Sequence, residues 1–250
     1  MTSLIVLGLS RIKFYLDYCL GLDSGDVTKR QLCKFLDEEC VVFDVGANHG
    51  EFTKSVLESC SNAKVYAFDI QNELKDKFLA LKENSYKVSF HCKGLSETSG
   101  WASIDRQRVG DRKAKLGIAI DRQVEMSTVD IEMSHLRLSC LDLLKIDTEG
   151  HDLLVLKGAS KSLSENKIRF IIFEVLASNN QQSFGMQTPT LKDFIDYLKK
   201  YNFCYFYRVS PVLGLIPLRH ATKTQKHVTN ILATKLPLKL YRRISKQKKY

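Results

Sequence analysis

The chain has 250 residues, 44% hydrophobic and 26% charged, which is enough for one sizeable core and ordinary for a globular domain. No apolar run reaches transmembrane length, and seven cysteines without a Cys-x-x-Cys pair suggest neither a zinc site nor a redox pair, in keeping with a reduced cytoplasm. The net charge of +10 belongs to the end of the chain: 13 Lys and Arg and no acid follow Asp196, leaving 25 basic against 28 acidic residues before it.

Residues 1–40 open on MTSLIVLGLSRIKFYLDYCLGL. The positive charges follow the apolar stretch instead of preceding it, so it reads as an amphipathic helical segment packed on the domain and not as a signal peptide. From Val41 strand and helix patterns alternate. VVFDV is a short apolar strand, EFTKSVLESC a helix, KVYAFDI a second strand, NELKDKFLALKEN a helix and KVSFHCKGL a third strand. Ser96–Met126 is polar and irregular. LDLLKID is a fourth strand, HDLLVLKGASKSLSE one helix, IRFIIFEV a fifth strand and LKDFIDYLKK a helix, and NFCYFYRV and HVTNILAT are closing strands. The alternation implies an α/β fold, a doubly wound, mostly parallel sheet of about seven strands in a single domain over 41–234, followed by a basic tail over 235–250. Ligands of such sheets bind beyond the carboxyl ends of the strands.

Polar clusters at strand ends are therefore the candidate site. The first is Asp44-Val-Gly46-Ala-Asn48-His-Gly50. It departs from the dinucleotide fingerprint, because Asn48 and Glu51 stand where its second and third glycines would be, and no Gly-Lys-Ser/Thr phosphate loop follows. A carboxylate before the turn disfavours a pyrophosphate and favours a ligand with a cationic end, as S-adenosylmethionine has. Asp69 ends the second strand, 19 residues beyond Gly50, where an acid can accept ribose hydroxyls. Ile70 is placed to pack on adenine and Leu95, after the third strand, to wall it. The fourth strand ends in Lys145-Ile-Asp147-Thr-Glu149-Gly-His151, and the fifth in Glu174. So many ionisable groups at a strand mouth cost desolvation unless they are paired or used. Asp147, His151 and Glu174 are the candidate catalytic groups, as a general base with positioning partners. Magnesium held by Asp147 and Glu174 is the alternative.

In order, VVFDVGANHGEFT, VYAFDIQNE, MSTVD, LLKIDTEGHDLLVLKGA and IIFEV resemble the FkbM family of S-adenosylmethionine-dependent methyltransferases, from about Val41 to Val175. The resemblance implies a class I, Rossmann-like methyltransferase fold and methyl transfer to an oxygen, often a hydroxyl of a sugar or polyketide-type product. It implies that Asp44, Gly46, Asn48 and Gly50 take the methionine part of the cofactor and Asp69 its ribose. Where the family often carries Glu-Pro after the second strand, this chain has Asp69-Ile70. Amine-methylating enzymes acting on bases commonly carry Asn/Asp-Pro-Pro-Tyr after the fourth strand, where this chain has Asp147-Thr-Glu-Gly.

The expected acceptor is a small molecule or glycan. An RNA methyltransferase using the basic C-terminus, or a non-catalytic binding protein on the same fold, are the alternatives. The slightly acidic first 196 residues disfavour nucleic acid. Lys235, Lys239, Arg242, Arg243, Lys246, Lys248 and Lys249, interleaved with apolar residues, suit the anionic inner surface of a membrane.

Overall fold

The computed structural model describes residues 34–83, 86–104, 122–176, 188–210, 214–218 and 229–241. Most of the N-terminal segment, much of 96–126 and the end of the basic tail lie outside them.

Strands β1 (Val41–Val45), β2 (Lys64–Asp69), β3 (Lys87–Cys92), β7 (Leu141–Ile146), β8 (Ile168–Val175), β9 (Tyr205–Ser210), β10 (Gly214–Pro217) and β11 (Thr229–Thr234) form one sheet, ordered β10-β9-β11-β8-β7-β1-β2-β3. The run from β8 to β3 is parallel, and β11, β9 and β10 pair antiparallel. Three shorter strands, β4 (Gly94–Leu95), β5 (Gly100–Ile104) and β6 (Arg122–Ser127), form a second sheet ordered β4-β6-β5. The fold is thus α/β with a large, mostly parallel sheet, one strand more than expected because Gly214–Pro217 extends the antiparallel end.

Strand alternation divides the core into two layers. On β1, Phe43 and Val45 face one layer and Val42 the other; on β7, Leu144 and Ile146 oppose Leu143; on β8, Ile171 and Phe173 oppose Phe170 and Ile172. Helix α1 (Glu51–Ser59) contributes Val56 and Leu57 to the second layer, and α2 (Lys75–Glu83) contributes Phe78. Helix α3 (Val129–His135), which the sequence reading did not anticipate, supplies Val129 and Met133 to the first layer.

The helix expected over His151–Glu165 is two helices, α4 (Asp152–Lys157) and α5 (Ser160–Ser164). Gly158 lies so near the Ser96 carbonyl that a Cβ there would sit 1.9 Å from its oxygen. The Asp130 carboxylate then accepts the Lys161 and Ser162 amide N–H groups at 2.9 and 2.8 Å, starting α5 afresh. Helix α6 (Leu191–Lys199) begins with a capping box: Thr190 Oγ1 accepts from Asp193 N, and Asp193 Oδ2 accepts from Thr190 N. It buries Leu191, Phe194, Ile195 and Leu198, and Phe194 stacks on Phe173 with centroids 4.5 Å apart.

The boundary expected at Thr234 cuts through the core. Leu238 and Tyr241 are buried, Tyr241 packs on Phe170 with ring centroids 4.8 Å apart, and the Leu238 amide donates to the Tyr207 hydroxyl at 3.2 Å. At the other end, residues 34–40 form turns and not a helix, with Phe35, Leu36 and Cys40 buried in the second layer.

Candidate active site

The candidate residues meet at the carboxyl edge of the parallel strands. In the register of β1 with β7, Asp44 lies opposite Lys145 and Val45 opposite Ile146. In that of β7 with β8, Ile146 lies opposite Phe173, so Asp147 and Glu174 follow side by side. Alternation puts Asp44, Lys145, Asp147 and Glu174 on the face that carries α1.

The glycine turn and the turn after β7 are one packed unit. The Asp147 amide donates to the Val45 carbonyl at 3.0 Å. A Cβ on Gly46 would stand 1.9 Å from the Asp147 carbonyl oxygen, and Gly46 has φ +72°. Both facts demand glycine, and neither involves a ligand. Gly50, at φ +79°, is the N-cap of α1 and lies against the Phe78 ring.

Asp44 is wholly buried and does not reach the mouth of the site. Its Oδ2 accepts from Thr53 Oγ1 at 2.6 Å, and its Oδ1 stands 3.0 Å from Lys145 Nζ. The same ammonium donates to the Gly46 carbonyl at 3.0 Å and lies 3.6 Å from Asp147 Oδ2. Burial works against the Lys145 charge, but the Asp44 and Asp147 carboxylates outweigh it and hold its pKa well above the ordinary lysine range. The expectation that Asp44 meets a cationic ligand through its charge is therefore corrected: Lys145 answers that charge, and Asp44 acts from beneath the turn. The pairing also commits the Lys145 ammonium, while Lys77 Nζ lies 2.5 Å from Nδ1 of His49 at the exposed side of the turn.

Asp69 joins the first two strand ends. Its Oδ2 accepts the Asn48 amide N–H at 2.8 Å and its Oδ1 the Gln71 amide N–H at 3.0 Å. Burial raises its pKa in spite of these bonds. Gln71 Nε2 also donates to Oδ1, at 3.4 Å, so of the about four acceptor sites of a carboxylate one remains, on Oδ2, for a hydroxyl such as a ribose carries. Ile70 is partly exposed beside Gly94. Leu95 is buried in the first core layer.

The acid cluster is larger than the sequence reading had it. Asp152, read there only as a helix residue, is wholly buried: Oδ2 accepts from Thr148 N at 3.1 Å and Thr148 Oγ1 at 2.8 Å, and Oδ1 from Glu174 N at 2.9 Å. A threonine four residues before an acid, across a Gly turn, was the signal for it. Burial and then Asp147 push the Asp152 carboxyl up to about 6. Burial, then Asp147, Asp152 and Glu149, push Glu174 up to about 9, with Lys145 opposing. His151 is the N-cap of α4, and burial lowers its pKa, which keeps the ring neutral near pH 7. Among the described residues no three His, Cys, Asp or Glu side chains are grouped to hold a metal ion, so nothing there supports the magnesium alternative.

A family model described as "Methyltransferase FkbM domain" matches residues 44–205. The chain belongs to the FkbM methyltransferase family. A crystal structure of a methyltransferase FkbM from Methylobacillus flagellatus KT superposes with a TM-score of 0.51 at 15% identity, over 79% of this chain and 44% of that one. The chain thus spans less than half the length of that relative, and the likeness concerns the fold. A precorrin-6y C5,15-methyltransferase from Geobacter metallireducens GS-15 matches at TM-score 0.46 and 11% identity, covering 85% of this chain and 86% of that one. SMU.1697c, a putative methyltransferase from Streptococcus mutans in complex with SAH, matches at TM-score 0.43 and 13% identity, over 85% and 96% of the two chains. No curated protein matches the chain. Within this FkbM domain, the strand ends bearing Asp44, Asp69, Asp147 and Glu174 all fall inside the matched span.

Proposed function

We propose that the chain transfers a methyl group from S-adenosylmethionine to a hydroxyl oxygen of a sugar, glycan or secondary metabolite. The observation that carries this reading is the pair Asp147 and Glu174, side by side at the carboxyl ends of β7 and β8, with the Asp147 backbone packed against Gly46 of the glycine turn. When bound, the cofactor supplies a methyl group on a positive sulfonium. Asp69, through its remaining acceptor site on Oδ2, suits a ribose hydroxyl, and Ile70 suits the adenine.

On the acceptor side the two carboxyl groups differ in kind. Asp147 has a side chain about one-third exposed, at 36%, and reaches solvent. It takes the hydroxyl proton as the oxygen attacks. Glu174, held neutral near pH 7, donates a hydrogen bond that orients the acceptor. Alignment of oxygen and methyl is the larger part of such catalysis, and a positioned base adds about 10²–10⁴-fold. Asp147, Glu149 and Asp152, with Lys145 already committed to Asp44, disfavour a polyanion here and support a neutral acceptor over the RNA alternative.

The test is transfer of labelled methyl from S-adenosylmethionine into fractionated glycans, lipids and RNA of the source cell, with Asp147→Asn alongside. Label in a neutral hydroxyl, lost about 10²-fold in the variant, is expected. Label confined to RNA or to an amine overturns the reading.

A further inference from the structure

We infer that Asp152 is a positioning residue that locks the acceptor side of the site, tying the turn that carries Asp147 to the strand end that carries Glu174. This rests on the assignment of those two residues to the acceptor. An acid in the first turn of a helix ordinarily serves its own helix, through the N-terminal N–H groups and the dipole. The hydrogen bonds of Asp152 go elsewhere. Its Oδ2 reaches back to the amide and hydroxyl of Thr148, the neighbour of Asp147, and its Oδ1 crosses to the Glu174 amide on β8. The side chain therefore clamps two segments that the sheet register alone leaves free to part beyond Ile146 and Phe173.

The Asp152 side chain is wholly buried between half-buried Thr148 and Glu174, which makes its hydrogen bonds costly to lose. It also places a second carboxyl group beside Glu174. The charged groups facing the pair are Asp147 and Glu149 on the turn and Lys145 on β7, with His151 adjacent in sequence. Removing the Asp152 charge while keeping its shape must loosen the Glu174 amide and ease ionisation of the Glu174 carboxyl.

Asp152→Asn in the full chain tests this, because the amide side chain turns an NH₂ group toward one of the three donors. Hydrogen exchange at whichever amide meets the NH₂ group, Thr148 or Glu174, is expected to speed up by about tenfold or more, as for loss of a hydrogen bond to a charged group. The Glu174 carboxyl, followed by ¹³C NMR, is expected to titrate at lower pH, while S-adenosylhomocysteine still binds by calorimetry. A folded variant with unchanged Glu174 titration and unchanged protection overturns the inference. If Asp152→Asn does not fold, Thr148→Val deletes one donor alone. Faster exchange at Thr148 with an upward move of the Asp152 titration then supports the clamp, and no change overturns it. With an acceptor in hand, kcat should fall while KM for S-adenosylmethionine stays near wild type. A shifted Glu174 titration in a chain that methylates no hydroxyl overturns the acceptor reading but not the clamp.

Discussion

Lys145 and Asp44 face each other across neighbouring strands, Nζ 3.0 Å from Oδ1, and both are buried. The pair joins the two halves of the site: Asp44 stands below the glycine turn, and Lys145 also holds the Gly46 carbonyl and lies near Asp147. Breaking a buried pair leaves a charge uncompensated, at about 3–5 kcal/mol. Lys145→Met should lose stability of that order in urea unfolding, and Lys145→Met with Asp44→Asn should recover part of it. The folded Lys145 pKa is raised, so the pair's contribution is complete below the ordinary lysine value of about 10.4 and is lost as pH rises through the folded value. A stability that is flat from pH 9 to 12 in wild type speaks against the pair.

Gly46 makes a different forecast from the one a ligand contact gives. Gly46→Ala puts a Cβ into the Asp147 carbonyl and a side chain at φ +72°. Backbone strain of about 1–3 kcal/mol adds to the clash. The variant should unfold at lower urea even without cofactor. If Gly46→Ala keeps wild-type stability and loses only S-adenosylmethionine binding in calorimetry, the glycine serves the ligand and not the junction of the two turns.

Glu174 carries the pH dependence. Its folded pKa, about 9, lies above the unfolded carboxyl value, so its contribution is complete below about pH 4 and declines as pH rises through 9. Asp152, at about 6, works in the same direction over the lower part of that window. Wild-type stability should therefore fall between pH 5 and 9, by at most about 1.4 kcal/mol per pH unit for each proton. Glu174→Gln is neutral at every pH and should flatten the curve above pH 6. Equal slopes for the two chains exclude a protonated Glu174.

The parallel sheet and the gathering of Asp44, Asp69, Asp147 and Glu174 were legible because each acid ends an apolar run, and ligands of such sheets bind beyond the carboxyl ends of the strands. What lay beyond the sequence was contact at a distance. Nothing local says that Gly158 makes room for the Ser96 carbonyl and so splits a helix, or that Asp130 caps the second piece. The direction of Asp44 was likewise hidden, because burial behind Thr53 and Lys145 depends on α1 and β7 together. Asp152 looked like an ordinary first-turn acid until its partners on Thr148 and Glu174 were in place.

The C-terminus separates a structural part from a charged one. Lys235–Tyr241 belongs to the fold, since Leu238 and Tyr241 are buried and the Arg169 guanidinium borders the Phe170–Tyr241 ring pair, 5.0 and 5.5 Å from the two centroids. Burying side chains of this size contributes about 1.5–3 kcal/mol each. A chain ending at Thr234 should therefore melt at lower temperature, and one ending at Tyr241 should match the full chain. The five cations beyond, Arg242, Arg243, Lys246, Lys248 and Lys249, are the part proposed to meet an anionic bilayer, at about 1 kcal/mol each at most. Liposome flotation is the measurement. The full chain should float with vesicles containing anionic lipid at low salt and sink at high salt, whereas the chain ending at Tyr241 should sink in both. Equal flotation of the two removes the membrane role, and a full chain that binds RNA but not vesicles turns the same charges toward nucleic acid.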